Sequence, residues 1–283
     1  MTRSDSQYWQ EVGTHWQRTQ PQRLWRRYCD VLHTELLDSW LPRRRVARVL
    51  KTDLFDEAVS DGVYPLLARR AGHVVGIDVS QSIRQAAGEQ YPDLETLEAD
   101  VRCLPLAGES FDAVVSLSTL DHFDTQEEIV RALRELGRVI RPGGHLLLTV
   151  DNPANPAVRL RNALPWRWLH RLGLVPYRVG ATCGRRRLED YMRHAGLSVL
   201  QATAIMHCPR AAAVALAGWL ERRDRSPQRA ERLLHHLLKF EKLRRWPTRF
   251  RTGYFLATLA VKVAEAPAAQ GSPIPMNRDW GGP

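Results

Sequence analysis

The sequence has little of what a disulfide framework or a structural metal centre requires. Its 283 residues include four cysteines, and no two of them have C-x-x-C spacing. Neither disulfides nor a metal site is therefore expected. No apolar run is long enough to cross a bilayer, and the N-terminus, MTRSDSQYWQ, lacks the apolar core of a signal peptide. We therefore expect a cytoplasmic protein with reduced thiols.

Glycine is scarce at the one place where a nucleotide-binding fold usually needs it. The stretch VLKTDLFDEAVSDG, residues 49–62, stands where the first strand and its glycine-rich turn would lie, yet it holds one glycine and four carboxylates. The G-x-G-x-x-G turn of dinucleotide-binding proteins is missing. The carboxylates would repel a pyrophosphate and are compatible with a ligand that is positively charged there.

Short β-type runs alternate with amphipathic helical ones between residues 46 and 152. The predicted strands are VARVL, HVVGID, LETLEAD, FDAVVSLS and HLLLTVD, with helical patterns around YPLLARR, QSIRQAAGEQ and EEIVRALRELGRVI. This order predicts a Rossmann-like, doubly wound α/β sheet that is mostly parallel. Ligands of such sheets bind beyond the carboxyl ends of the strands.

The rest of the chain is predicted to be a helical start, two insertions and a tail. Residues 1–45 have a helical pattern and are predicted to form a lid, and the main domain is placed at 46–265. Within it, 153–184 is rich in Pro, Trp and Arg and is predicted to be a lid insertion, while 209–250 is a helical insertion before the last strand, TGYFLATLAVKV. Residues 266–283 have the composition of a disordered tail.

Polar residues follow the predicted strands. Asp78 ends the second, where a carboxylate can accept hydrogen bonds from both hydroxyls of a ribose, although with Ser80 it could equally cap the next helix. Asp100 follows the third strand and could accept a hydrogen bond from an exocyclic amine such as that of adenine, or occupy an ordinary turn. The small residues Ser116 and Ser118 end the fourth strand and leave room for a ligand.

Taken in order, HVVGIDVS, EADVRCLPLAGESFDAVVSLSTLDHF and ELGRVIRPGGHLLLT resemble the class I S-adenosylmethionine-dependent methyltransferases, especially those that act on small molecules. The resemblance covers about residues 46–150, and TGYFLATLAVKV is similar to that family's antiparallel edge strand. It implies S-adenosyl-L-methionine as the cofactor. By the same resemblance, its ribose would be bound by Asp78, its adenine by Asp100 and Val101, and its methionine end by Ser116 and Leu117.

The first loop departs from this resemblance, because KTDLFDEAVSDG stands in place of the family's acidic residue and GxGxG. In one interpretation Thr52 and Asp53 contact the methionine ammonium group while Gly62 opens the following helix. In the other, the loop is closed and the protein is a non-catalytic methyltransferase-like scaffold. We favour the first interpretation because Asp78 and Asp100 are present together.

His122, directly after the fourth strand, is the predicted catalytic residue, since a neutral imidazole beside the pocket could deprotonate an acceptor. Packing at the start of a helix is its alternative role. His207 is a second candidate. Aromatic and basic residues of the two lid segments could line an acceptor pocket, or simply pack: Trp9, Trp16, Trp25, Trp166, Trp168, Tyr177, Arg159, Arg161 and Arg178.

Positive charge is concentrated in the second half of the chain. Residues 159–251 contain 21 Lys/Arg and 6 Asp/Glu, a net charge of +15, which leaves −5 for the rest. This excess could favour an anionic substrate, an acidic membrane surface or nucleic acid, or be a solvated helical surface. We expect methyl transfer to a small molecule of secondary metabolism, anionic or lipid-like.

Two other enzyme classes are less compatible with the sequence. A nucleic-acid methyltransferase would account for the basic half, but the fourth strand ends in STLD instead of the Asn/Asp-Pro-Pro-aromatic motif of such enzymes, so a nucleic-acid partner is not favoured. A dinucleotide-dependent oxidoreductase would need both a glycine motif and a Tyr-x-x-x-Lys pair.

Overall fold

The computed structural model describes residues 3–19, 22–165, 168, 171, 179–223 and 226–264. In this part of the chain seven strands form a sheet in the order β3-β2-β1-β4-β5-β7-β6. The strands are β1 (Val46–Lys51), β2 (Ala71–Asp78), β3 (Glu95–Glu98), β4 (Phe111–Leu117), β5 (Ile140–Asp151), β6 (Leu197–Ile205) and β7 (Phe255–Lys262).

Helices precede the sheet and connect its strands. They are α1 (Arg3–Thr19), α2 (Arg23–Trp40), α3 (Phe55–Val59), α4 (Tyr64–Arg70), α5 (Gln81–Gln90), α6 (Gln126–Val139), α7 (Pro156–Ala163), α8 (Arg185–His194), α9 (Arg210–Arg223), α10 (Pro227–Lys239) and α11 (Arg249–Thr252). Two 3₁₀ turns, η1 (Leu120–His122) and η2 (Phe240–Arg245), complete the described elements.

The sheet is the predicted mixed but mostly parallel one. Strands β1 to β5 pair in parallel, while β7 pairs antiparallel with both β5 and β6, so β6 occupies the edge and β7 lies beside it. The predicted α/β class is confirmed. The chain runs outward from β1 through β2 to β3 and then returns to β4 on the other side of β1, which places a crevice at the carboxyl ends of β1 and β4.

Burial follows from the sequence pattern of each element. Every residue of β4 is buried, as expected for a parallel strand that is covered by helices on both faces. Helix α6 begins with a capping box in which Thr125 and Glu128 satisfy each other's backbone N–H groups. Its apolar positions, among them Ile129, Leu133 and Leu136, pack against one face of the sheet.

The N-terminal helices pack across the main domain. Helix α2 buries Trp25, Tyr28 and Leu32 in the three- and four-residue spacing that the sequence shows. Helix α1 contacts α5 through Gln10, whose side-chain oxygen accepts hydrogen bonds from the Ser80 hydroxyl at 3.0 Å and the Ser82 amide at 3.2 Å. Because α5 follows β2, this contact places α1 at the carboxyl edge of the sheet.

None of the described helices has the length and apolar character needed to cross a bilayer. The predicted tail, 266–283, lies outside the described residues, as do Trp166, Tyr177 and Arg178 of the predicted lid insertion.

Candidate functional site

A cavity opens at the carboxyl edge of the sheet, beside β1 and β4. Seven of the nine predicted site residues line it: Thr52, Asp53, Asp78, Asp100, Val101, Leu117 and His122. The other two, Gly62 and Ser116, are not among the residues that line the cavity. Sequence reasoning missed several residues that do, including Tyr8, Arg26, Phe55, Asp56, Arg102 and Thr119.

Asp78 is held in place by two backbone amides. The Leu54 amide donates to its Oδ2 at 3.0 Å, and the Ser80 amide donates to its Oδ1 at 2.8 Å. Burial raises the pKa of the Asp78 carboxyl to about 6, although both amide hydrogen bonds act in the opposite direction. The helix cap that competed with ribose binding is also formed, but its acceptor is the Ser80 hydroxyl, which accepts from the Ile83 amide.

The first loop reaches Asp78 because β2 contains a glycine. A Cβ on Gly76 would lie 2.4 Å from Cδ2 of Leu54, so any larger residue at 76 would displace the Leu54 side chain. Leu54 is fully buried in this position. Its packing fixes the loop backbone against the end of β2 and aims the Leu54 amide at the carboxylate.

A buried ion pair stabilises the same loop. Lys51, the last residue of β1, is 1% exposed, and its Nζ lies 2.8 Å from Oε2 of the fully buried Glu57. Nζ also donates to the Asp53 carbonyl oxygen at 2.6 Å. Burial lowers the pKa of Lys51, but the neighbouring Asp53 and Glu57 carboxylates raise it by more, so the ammonium remains charged.

Gly62 leaves room for the Glu57 carboxylate. It has a left-handed backbone with φ of 59°, and a Cβ there would lie 2.5 Å from Glu57 Oε1. The same oxygen accepts hydrogen bonds from the Val63 and Tyr64 amides at 3.0 and 3.2 Å. Gly62 thus shapes the turn before α4, and its contact with a cofactor stays a prediction.

A chain of hydroxyls joins β1 to the end of β4. Thr52 Oγ1 donates to Ser116 Oγ at 2.9 Å and lies 2.8 Å from Thr119 Oγ1, which donates to Asp53 Oδ2 at 2.9 Å. Ser116 is therefore linked to the cavity indirectly, by the hydrogen bond that it accepts from the cavity residue Thr52. Thr119 was missed, although its position directly after β4 in STLD marks it as a residue of the cavity edge.

Asp100 is engaged by a neighbouring guanidinium. Arg102 Nη2 lies 2.7 Å from Asp100 Oδ2, and its Nε lies 3.0 Å from Oδ1. Burial raises the pKa of Asp100, but the hydrogen bonds and charge of Arg102 lower it by more, so the carboxylate is ionised. Arg102 also pairs with Glu128 and lies over the Phe123 ring. An adenine amine would share this carboxylate with Arg102.

The two N-terminal helices bring a cation to the loop. Arg26 of α2 pairs with Asp56 of α3, with Nη1 and Oδ1 3.0 Å apart. Its guanidinium carbon lies 4.5 Å from the Trp16 ring centre and 4.7 Å from that of Phe55. Two cations therefore pair with the acidic loop, Arg26 with Asp56 and Lys51 with Glu57.

His122 lies in the cavity wall, whereas His207 does not. The ring centres of His122 and Trp9 are 4.6 Å apart in an edge-to-face arrangement, so α1 covers the imidazole. His207 is buried, with Nε2 3.0 Å from the Ala204 carbonyl oxygen and Nδ1 2.8 Å from the Thr252 hydroxyl. His207 therefore has a structural role at the end of β6.

Arg161 is also structural. Its Nη2 pairs with Asp151 at 2.5 Å, and its Nη1 donates to the Tyr254 hydroxyl at 2.8 Å. The Arg161 and Asp151 side chains are both largely buried, so this guanidinium is not available to an anionic ligand. Arg159, on the other side of α7, is exposed.

Comparison with known proteins finds a family match for the central part of the chain. Residues 56–148 match the family described as "Methyltransferase domain". The human "Probable tRNA methyltransferase 9B" is 35% identical over 78 residues, which are 28% of this chain and 17% of that protein. A Mycobacterium tuberculosis "Probable S-adenosylmethionine-dependent methyltransferase" is 28% identical over 125 residues, 42% of this chain and 44% of that protein. The chain thus spans less than half the length of these relatives.

Solved structures share the fold over most of the chain. The "putative methyltransferase" in complex with the Haloferax volcanii Trm112 methyltransferase activator has a TM-score of 0.57 at 19% identity, covering 90% of this chain and 99% of that one. Geranyl diphosphate methyltransferase, solved with geranyl diphosphate and sinefungin, has a TM-score of 0.54 at 13% identity, covering 82% and 78%. Residues 56–148 thus match a methyltransferase domain, and the chain shares the fold of these solved methyltransferases.

Proposed function

We propose that this protein is an S-adenosylmethionine-dependent methyltransferase that acts on a small, anionic or lipid-like acceptor. The observation that carries the proposal is Asp78, a carboxylate at the end of β2 that two backbone amides hold at the wall of the cavity. The match of residues 56–148 and the cofactor-bound structures of related fold support the choice of cofactor.

The residues present in the cavity fit this cofactor. Asp78 would accept hydrogen bonds from the two ribose hydroxyls, and Val101 with Asp100 would border the adenine. Asp53, oriented by Thr119, offers a carboxylate oxygen to the methionine ammonium group in place of the missing glycines. The acidic loop thereby suits a ligand whose amino-acid end and sulfonium both carry positive charge.

The bound cofactor would supply an activated methyl group, and the protein would supply position and a dry environment. The sulfonium charge disperses during transfer, so catalysis depends chiefly on aligned placement of the acceptor and exclusion of water. Trp9 of α1 covers the cavity beside His122. We propose that His122 takes the proton from the acceptor, because its imidazole borders the same cavity.

Calorimetric titration of the full chain tests the proposal. We expect S-adenosylmethionine and S-adenosylhomocysteine to bind and NADH to give no heat, because the cavity has no glycine turn for a pyrophosphate. Binding of NADH alone would overturn the methyltransferase assignment. Binding of none of the three would favour the non-catalytic scaffold.

The affinity for S-adenosylmethionine should fall in acid. Burial raises the pKa of Asp78 to about 6, so the carboxyl is ionised at neutral pH and mostly protonated near pH 5. A protonated carboxyl is a poorer acceptor for two hydroxyls, and we expect about tenfold weaker binding near pH 5 than near pH 7.

Two variants identify the group that titrates. Asp78→Asn should give weak binding that no longer depends on pH in this range. His122→Ala should keep the dependence, which separates Asp78 from the nearby imidazole. A pH dependence that vanishes in His122→Ala would contradict the assignment.

A further inference from the structure

Two exposed apolar segments lie at the edge of the sheet on which the cavity opens. Helix α7 follows the carboxyl end of β5, and α9 follows that of β6. Both strands pair antiparallel with β7, so they run in the same direction and end at the same edge. The carboxyl ends of β1, β2 and β4, which border the cavity, lie at that edge too.

The first segment is α7 and the chain that follows it. Leu160, Leu164 and Trp168 are 63%, 45% and 72% exposed. Arg159 and Arg171 beside them are exposed as well. A leucine pair and a tryptophan with this much exposed apolar surface, accompanied by arginines, are characteristic of an interaction surface.

The second segment is α9, a helix with apolar residues on both of its faces. Its inner face packs on the protein through Ala213, Ala217 and Leu220. Its outer face exposes Leu216 and Trp219, at 46% and 44%, together with three alanines. A helix that is apolar on all sides is normally covered on all sides, so the outer face of α9 is suited to a partner. Exposed arginines, Arg222 and Arg223, end the helix.

Tyr254 joins the two segments. Arg161 of α7 donates to its hydroxyl, and the guanidinium carbon of Arg210, the first residue of α9, lies 4.6 Å from the ring centre. The last turn of α7 and the first residue of α9 thus contact the same tyrosine. We call the combined area the α7/α9 surface, made of Leu160, Leu164, Trp168, Leu216, Trp219, Arg159, Arg171, Arg222 and Arg223.

The charge around α9 is positive, and its acidic residues are engaged by α2. The described part of 210–252 contains eleven Lys/Arg and three Glu. Glu221 accepts a hydrogen bond from the backbone of α2, and Glu231 pairs with an arginine of α2. Glu241 accepts from a tyrosine hydroxyl of α2. All three acidic residues are thus engaged by α2, which leaves an excess of arginines and lysines around α9.

We infer that the α7/α9 surface docks on an anionic lipid bilayer. Apolar side chains at the head-group boundary and arginines near lipid phosphates are the two contributions that bind a protein to such a membrane. RNA would match the positive charge but would leave the exposed leucines without a role, so a bilayer accounts for both. The inference rests on the proposed function and deepens it, because a bilayer at the cavity edge would present a lipid-like acceptor to the enzyme.

Vesicle flotation of the full chain tests this inference without cofactor or acceptor. We expect the protein to float with phosphatidylcholine vesicles that contain phosphatidylglycerol, and at least about tenfold less with phosphatidylcholine alone. Leu216→Ser/Trp219→Ser should weaken binding about tenfold or more, since it removes the inserted side chains of α9. Arg222→Gln/Arg223→Gln should weaken binding to the anionic vesicles alone, by about fivefold per arginine.

The control is Leu200→Ser/Val263→Ser, which removes two apolar side chains that are 53% and 54% exposed but lie away from the α7/α9 surface. Its binding should equal that of the unchanged protein. Thermal melts and calorimetric titration with S-adenosylmethionine establish that each variant is folded.

No flotation, equal losses in the control, or binding to duplex RNA that exceeds vesicle binding and survives Leu216→Ser/Trp219→Ser would each overturn the inference. Self-association in sedimentation that this double variant abolishes would assign the surface to a second copy of the chain. Flotation without cofactor binding would refute the proposed function and leave membrane docking standing. Cofactor binding without flotation would refute membrane docking and leave the proposed function standing.

Discussion

Lys51→Met is expected to lower the free energy of unfolding by about 3 to 5 kcal/mol, because it leaves the Glu57 carboxylate buried without its cation. Glu57 is fully buried, and Lys51 Nζ lies 2.8 Å from it. The substitution also removes the Lys51 ammonium that donates to the Asp53 carbonyl oxygen, so the loop at the cavity should become more mobile. Denaturant unfolding monitored by circular dichroism measures the change.

Two further variants show that the effect comes from the buried pair. Lys51→Met/Glu57→Gln should recover most of the stability, because a neutral amide can still accept from the Val63 and Tyr64 amides. Arg193→Met, which breaks an exposed pair with Asp190, should change stability by less than about 1 kcal/mol. A Lys51→Met protein as stable as Arg193→Met would contradict the role given to the buried pair.

Asp78→Ala is expected to weaken S-adenosylmethionine binding by about 10- to 100-fold in a protein that still folds. The substitution removes the charged acceptor for the ribose and frees the Leu54 and Ser80 amides. Calorimetric titration measures the affinity. His122→Ala is the matched control, since it also lines the cavity but should leave cofactor affinity within about twofold if its role is in proton transfer. Equal affinity in folded Asp78→Ala would reject the ribose assignment.

The parts of the site that the sequence predicts are those tied to strand ends. Alternating β and helical patterns define five parallel strands, and the carboxyl-edge rule then selects Asp78, Asp100 and Ser118 without knowledge of any contact. All three line the cavity. The fold class follows from the same local patterns because parallel strands that helices cover on both faces are continuous apolar runs, as β4 is.

The parts of the site that the sequence does not predict depend on long side chains and on pairs of residues that are far apart in the sequence. Arg26 and Asp56 are thirty positions apart and belong to different helices, so no local pattern connects them. Arg102 folds back onto Asp100, and this rotamer decides whether the carboxylate is already engaged. The place of Gly62 in the loop likewise gives no sign that its Cβ position lies against the Glu57 side chain.

The hydrogen bond from the Leu54 amide to Asp78 limits how this domain can be recombined with its relatives. The loop depends on residues of the neighbouring strands, because Leu54 fills the space over Gly76 and Glu57 neutralises Lys51. A chimera that received a glycine-rich loop alone would keep an unneutralised lysine under the new loop and a gap above β2. The loop, Lys51 and Gly76 therefore form a single unit of exchange, and a working graft has to replace all of them together.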